Sequence, residues 1–119
     1  MTKDMELPDT KMQALIVKLI LNKRTEESIH LLSSYYKIQP PEIVVGTIKG
    51  KRKTVLAVYV GKKRRIYAIN SEIFYNPFVI LHEFYHHLRN RGLEHRGSEK
   101  GADNFALQFI KSYRLLGIQ

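Results

Sequence analysis

Cysteine is absent from this chain of 119 residues. Disulfide frameworks, thiolate zinc sites, iron–sulfur clusters and cysteine nucleophiles are therefore excluded, and any metal must be held by His, Asp or Glu. Long apolar runs are missing as well. The first, Ala14 to Val17, ends at Lys18, far short of the ~20 residues a membrane-spanning helix needs. No repeat, low-complexity tract or Gly/Ser/Pro linker interrupts the sequence. At roughly 100–200 residues per domain, a single domain over residues 1–119 is expected. Acidic residues are in deficit, with 11 Asp plus Glu against 20 Lys plus Arg, a formal charge of +9. The early ones, Asp4, Glu6 and Asp9, carry the wrong sign for a secretory leader, so the expectation is a cytoplasmic protein with nothing to be cleaved and no membrane partner.

Helical periodicity opens the chain. Met12, Leu15, Ile16, Leu19 and Ile20 recur at helical spacing behind Pro8-Asp9, which predicts an amphipathic helix. Thr25 is a candidate N-cap for a second helix, with Glu26 and Glu27 in its first turn and Ile29, Leu32 and Tyr36 facing inward until Pro40-Pro41. Short β-branched and aromatic runs follow at Ile43–Ile48, Val55–Val60 and Ile66–Asn70, divided by basic turns around Gly50 and Gly61. They predict a three-stranded antiparallel meander. Asn76-Pro77 then reads as an N-cap and first helical position of a mostly apolar helix to about Arg89. Ser98 opens a last helix with Ala102, Phe105, Ala106, Phe109, Ile110 and Tyr113 inward. The layout is α+β: two helices, a three-stranded sheet, two helices.

The apolar helix carries His82-Glu83-Phe84-Tyr85-His86, an HExxH motif. Residues four apart lie about 40° apart around a helix, so both imidazoles can reach one metal. Glu83, about 100° from His82, is placed to work on a metal-associated water as general base rather than to ligate. A catalytic zinc takes three protein ligands, and the third has three candidates, Glu94, His95 and Glu99. Glu99 shares the inward stripe of the last helix, and a carboxylate aimed at a core needs a partner. Asp103, one turn beyond it, is suited to orient a ligating histidine ring. His87, about 140° from His82, is off the metal face and reads as structural or solvent-facing. Tyr67, Tyr85 and Tyr113 are all candidate donors to an oxyanion.

The run His82 to His87, followed by Glu99-Lys100-Gly101-Ala102-Asp103-Asn104-Phe105-Ala106, resembles the gluzincin pattern, HExxH with a later glutamate opening an ExxAxxFA-like helix. It is similar to the small ImmA/IrrE-type metallopeptidase domains and the stand-alone minigluzincins. The resemblance implies a minimal zincin-like domain and a zinc metalloendopeptidase. It also implies one Zn2+ per chain on His82, His86 and Glu99, with Glu83 as general base. The strand Ile66, Tyr67, Ala68, Ile69, Asn70 would then be the edge along which a peptide or protein substrate lies. The metzincin pattern is not met, since Arg89 and Gly92 stand where it needs Gly and His. No helix-turn-helix module accompanies the motif, so regulation would come from a separate protein.

The basic clusters Lys49–Lys53 and Gly61–Arg65 support a reading of a different class, a nucleic-acid-associated or protein-binding module with a structural or vestigial metal. Successive meander turns fall at opposite ends of a sheet, which argues against one merged basic groove and limits the expectation to weak, non-specific nucleic-acid binding.

Overall fold

A computed structural model describes residues 6–46, 56–90 and 97–117. Helix α1 spans Thr10–Leu21, capped by the Asp9 carboxylate, which accepts from the Met12 amide at 2.9 Å. Its buried face is Gln13, Ile16, Val17 and Ile20, whereas Leu15, expected inward, is 43% exposed. The stripe is rotated because α1 packs against two later helices, and because Gln13 serves as a buried polar link. Its amide donates to the Pro8 carbonyl at 2.6 Å and its oxygen accepts from Ser112 at 2.7 Å.

Helix α2 spans Thr25–Tyr36, and Arg24, not Thr25, is its N-cap. Thr25 is instead fully buried, its hydroxyl donating to the Phe74 carbonyl at 2.9 Å, a tertiary bond that replaces the local one. The helix ends at Lys37 in the left-handed region, φ 59°, before Pro40-Pro41 can terminate it.

Three strands follow, β1 (Glu42–Val45), β2 (Ala57–Val60) and β3 (Arg65–Ala68). The sheet is mixed, in the order β1-β3-β2, with β1 parallel and β2 antiparallel to β3, so the expected antiparallel meander is corrected. Alternation sets which face of a strand is buried, not which strand is its neighbour. Ile66 and Ala68 of β3 are both fully buried, and the most buried strand takes the middle. The turn around Gly50 lies outside the described residues.

A one-turn helix, α3 (Ser71–Phe74), follows β3, and Asn70, expected as strand, is its N-cap, accepting from the Ile73 amide at 2.9 Å. Helix α4 spans Pro77–Arg89, with Asn76 as N-cap and Pro77 in its first turn. Helix α5 spans Glu99–Gly117, and the hydroxyl of Ser98 accepts from the Gly101 amide at 2.9 Å. Its buried residues Ala102, Phe105, Ala106 and Phe109 meet α1 and α4. Phe84 of α4 is fully buried and stacks on Phe105, with ring centroids 6.4 Å apart. Helix α4 is thereby held between the sheet and α5, and both neighbours reach its polar residues.

Candidate metal centre

His82 and His86 lie one turn apart on α4, their ring centroids 5.2 Å from each other. The first turn of α5 crosses above them and lowers Glu99 onto both rings. Its Oε1 is 2.8 Å from His82 Nε2 and its Oε2 is 3.2 Å from His86 Nε2. Each of the three residues offers a ligand atom within 4.8 Å of the others, a group able to hold a metal ion. A tetrahedral ion with bonds of ~2.0–2.1 Å holds its ligand atoms roughly 3.3 Å apart, close to the two separations between Glu99 and the histidines.

Asp103, one turn along α5, places Oδ1 2.9 Å from His82 Nδ1. A carboxylate only accepts, so the network assigns the ring proton to Nδ1 and leaves the Nε2 lone pair directed at Glu99. That lone pair faces a carboxylate oxygen at 2.8 Å. Two such acceptors are stable at this distance only with a cation between them, either a proton or a metal. The donor set, two imidazoles and one carboxylate with the tautomer held by a second carboxylate, suits a divalent cation of intermediate softness.

Glu83 is turned away from this cluster but stays near it, with Oε2 4.0 Å from His82 Nε2. It is 8% exposed. Burial, aided by the charge of Glu99, raises its pKa from the ordinary carboxylate value to about 7, while His82 and a hydrogen bond from the Tyr59 backbone oppose the rise. A carboxyl poised near neutrality beside a metal-ligand cluster has the proton affinity a general base requires.

The Tyr59 contact joins Glu83 to a sheet edge. The Ile69 amide donates to the Leu56 carbonyl at 3.0 Å. With the register Val58↔Tyr67 and Tyr59↔Ile66, alternation turns the amides and carbonyls of Ala57 and Tyr59 outward from β2. The strand Ile66–Asn70 was expected to be this edge, but β3 is flanked on both sides. Among the described residues the edge over α4 is β2, whose Tyr59 amide meets Glu83.

Tyr59 also ties β2 to α4 through its side chain. Its hydroxyl is 2.7 Å from His87 Nδ1 and accepts from Asn90 Nδ2 at 2.9 Å. His87 Nε2 lies 2.7 Å from the Gln39 carbonyl, so Nε2 donates there and Nδ1 accepts from Tyr59. Of the two expectations for His87, the buried structural one applies, at 5% exposed. Burial lowers its pKa, and the charge of Arg64 adds to this against the Gln39 bond. Sequence reasoning missed Tyr59 and Asn90. Tyr59 stands between the equally apolar Val58 and Val60, so no alternation singles it out, and no local pattern pairs it with His87.

Of the candidate oxyanion donors, Tyr67 lies on the opposite sheet face from Ile66 and pairs with Arg65 Nη1 at 3.0 Å. Tyr113 follows Glu99 by about 21 Å of helix rise. Tyr85 alone borders the ligand-bearing turn, its ring against Gly97 and Gly101. Glu94, His95 and the cluster Lys49–Lys53 lie outside the described residues, while Lys62, Lys63 and Arg64 form an exposed turn. Among the described residues no helix is long and apolar enough to cross a membrane. Comparison with protein-family models, with curated proteins and with solved structures finds no match for this chain.

Proposed function

We propose that this chain is a compact, gluzincin-like zinc metallopeptidase. The observation that carries the reading is the convergence of His82, His86 and Glu99 beside a buried Glu83 that is no part of the ligand set. Three protein ligands leave a position open for chemistry, as in catalytic rather than structural zinc sites. Zinc bound there supplies Lewis-acid polarisation of a peptide carbonyl and acidifies water. Glu83 takes the proton of the attacking water on its carboxylate and delivers it to the departing amine, returning to its starting state. Asp103 holds the His82 tautomer throughout. An extended peptide pairs with the outer edge of β2 at Ala57 and at the Tyr59 carbonyl, the Tyr59 amide being held by Glu83, and its alternate side chains supply selectivity.

The exposed basic turn Lys62–Arg64 supports the second reading, a binding module with a structural metal. Glu83→Gln separates the two. The amide retains size and zinc but cannot relay a proton, so hydrolysis of a random peptide library should fall by at least about a thousandfold with zinc content unchanged. Equal cleavage by both proteins, or by neither, refutes the peptidase reading.

A further inference from the structure

Glu99 reaches the two histidines from an exposed position, its side chain 79% accessible. Its placement therefore depends on where the backbone of the first turn of α5 runs. That turn contains Gly101 and is preceded by Gly97 at φ +80°. A glycine within a helix costs about 1 kcal/mol relative to alanine, so a close approach is the expected reason for Gly101. The approach is to Tyr85. A Cβ on Gly101 would lie 2.6 Å from Tyr85 Oη and 3.0 Å from Cζ, and a Cβ on Gly97 would overlap Tyr85 Cε2. The ring is 7% exposed and packs on Phe105 at a centroid distance of 5.5 Å.

We propose that Tyr85, clasped between Gly97 and Gly101, is the positioning residue that sets the height of α5 above α4 and so brings Glu99 within reach of His82 and His86. Tyr85 adjoins His86 in sequence and Gly101 follows Glu99 by two residues, so the contact acts beside both halves of the ligand set. No larger side chain fits either glycine without lifting the turn, and no smaller one at position 85 holds it down. The inference rests on the metal reading given above and deepens it.

The test measures zinc affinity of the full chain, by competition with a chromophoric chelator well below the melting temperature, for the parent protein, Gly101→Ala, Tyr85→Leu and Gly101→Ala/Tyr85→Phe. Ile20→Val, remote in the core, serves as a control for lost stability. Gly101→Ala and Tyr85→Leu should each weaken zinc binding about tenfold or more. The double variant, freed of the Oη clash but still 3.0 Å from the ring carbon Cζ, should recover a measurable part of the affinity lost by Gly101→Ala. The control should bind as the parent does. Parent-like affinity in Tyr85→Leu overturns the proposal even if Gly101→Ala does not fold, and so does an equal loss in Ile20→Val. A parent protein that takes up no zinc refutes the metal reading itself, a different result from tight binding in every variant.

Discussion

Replacing Tyr59 by Phe removes one oxygen and leaves the ring and the backbone amide in place. The magnitude follows from what that oxygen satisfies. His87 Nδ1 accepts from it at 2.7 Å inside a residue only 5% exposed. A tautomer change offers no escape, because Nε2 must keep its proton for the Gln39 carbonyl at 2.7 Å. A buried acceptor stripped of its donor costs about 1–3 kcal/mol. Asn90 loses its bond to the hydroxyl at 2.9 Å but keeps Gly61 at 3.2 Å, which adds about 0.5 kcal/mol. The total expected for Tyr59→Phe is about 1.5–3.5 kcal/mol, a sizeable part of the 5–15 kcal/mol typical of a domain. The chain has no tryptophan, so urea unfolding at pH 7.5 is best followed by far-UV circular dichroism. His87→Leu and the double variant complete a cycle in which the coupling should exceed about 1 kcal/mol. A Tyr59→Phe protein within about 0.5 kcal/mol of the parent, or a coupling near zero, would refute this account of how β2 is fastened to α4.

Glu99→Ala should abolish the melting-temperature drop that a chelator causes in the parent, since a ligand bound only by the folded state contributes about 2.7 kcal/mol at a hundredfold excess over Kd. An undiminished chelator effect in that variant would point to another third ligand, with His95→Ala the next substitution to measure. For the chelated protein, the depressed pKa of His87 means that the unfolded chain binds its proton more readily. The contribution of His87 is therefore whole above about pH 6.5 and is lost as pH falls below that value. His87→Leu should flatten this acid limb of the stability profile, and a limb of unchanged slope would count against the burial of a neutral ring. Binding of a random duplex DNA, followed by anisotropy, should be weak and should vanish between 50 and about 200 mM salt. A tight, sequence-selective complex at the higher salt would favour the binding-module reading.

What could be read from the sequence was what repeats locally. Asn76-Pro77 and Ser98 mark helix starts by capping chemistry that acts within three residues, and α4 and α5 begin there. The i, i+4 spacing of His82 and His86 depends on helix geometry alone, and the structure brings Glu99 to both rings, from an exposed first turn of α5 rather than from the buried stripe that Ala102 occupies. Asp103 followed from the same periodicity. Strand order did not, because Ile43, Tyr59 and Ile66 alternate identically whichever strand is central. The short helix α3 is a single turn with no period to detect. The bonds Tyr59–His87 and Thr25–Phe74 join residues distant in the chain, and such pairs leave no trace in local pattern.

The supports of the candidate metal centre and of Glu83 differ in reach along the chain. His82 is separated from Glu99 by 17 residues and from Asp103 by 21. The bond that seats β2 against α4 spans 28 residues, Tyr59–His87, and the one that ties α4 to the segment before β1 spans 48, His87–Gln39. Shorter loops close at lower entropic cost and sooner. On the metal reading, the α4–α5 pair can therefore capture its ion during folding before the sheet has docked and before Glu83 has received the Tyr59 amide. Zinc content then counts chains whose ligands have met, while catalytic competence counts those in which the sheet has arrived as well, and newly made protein would pass through a loaded but idle stage.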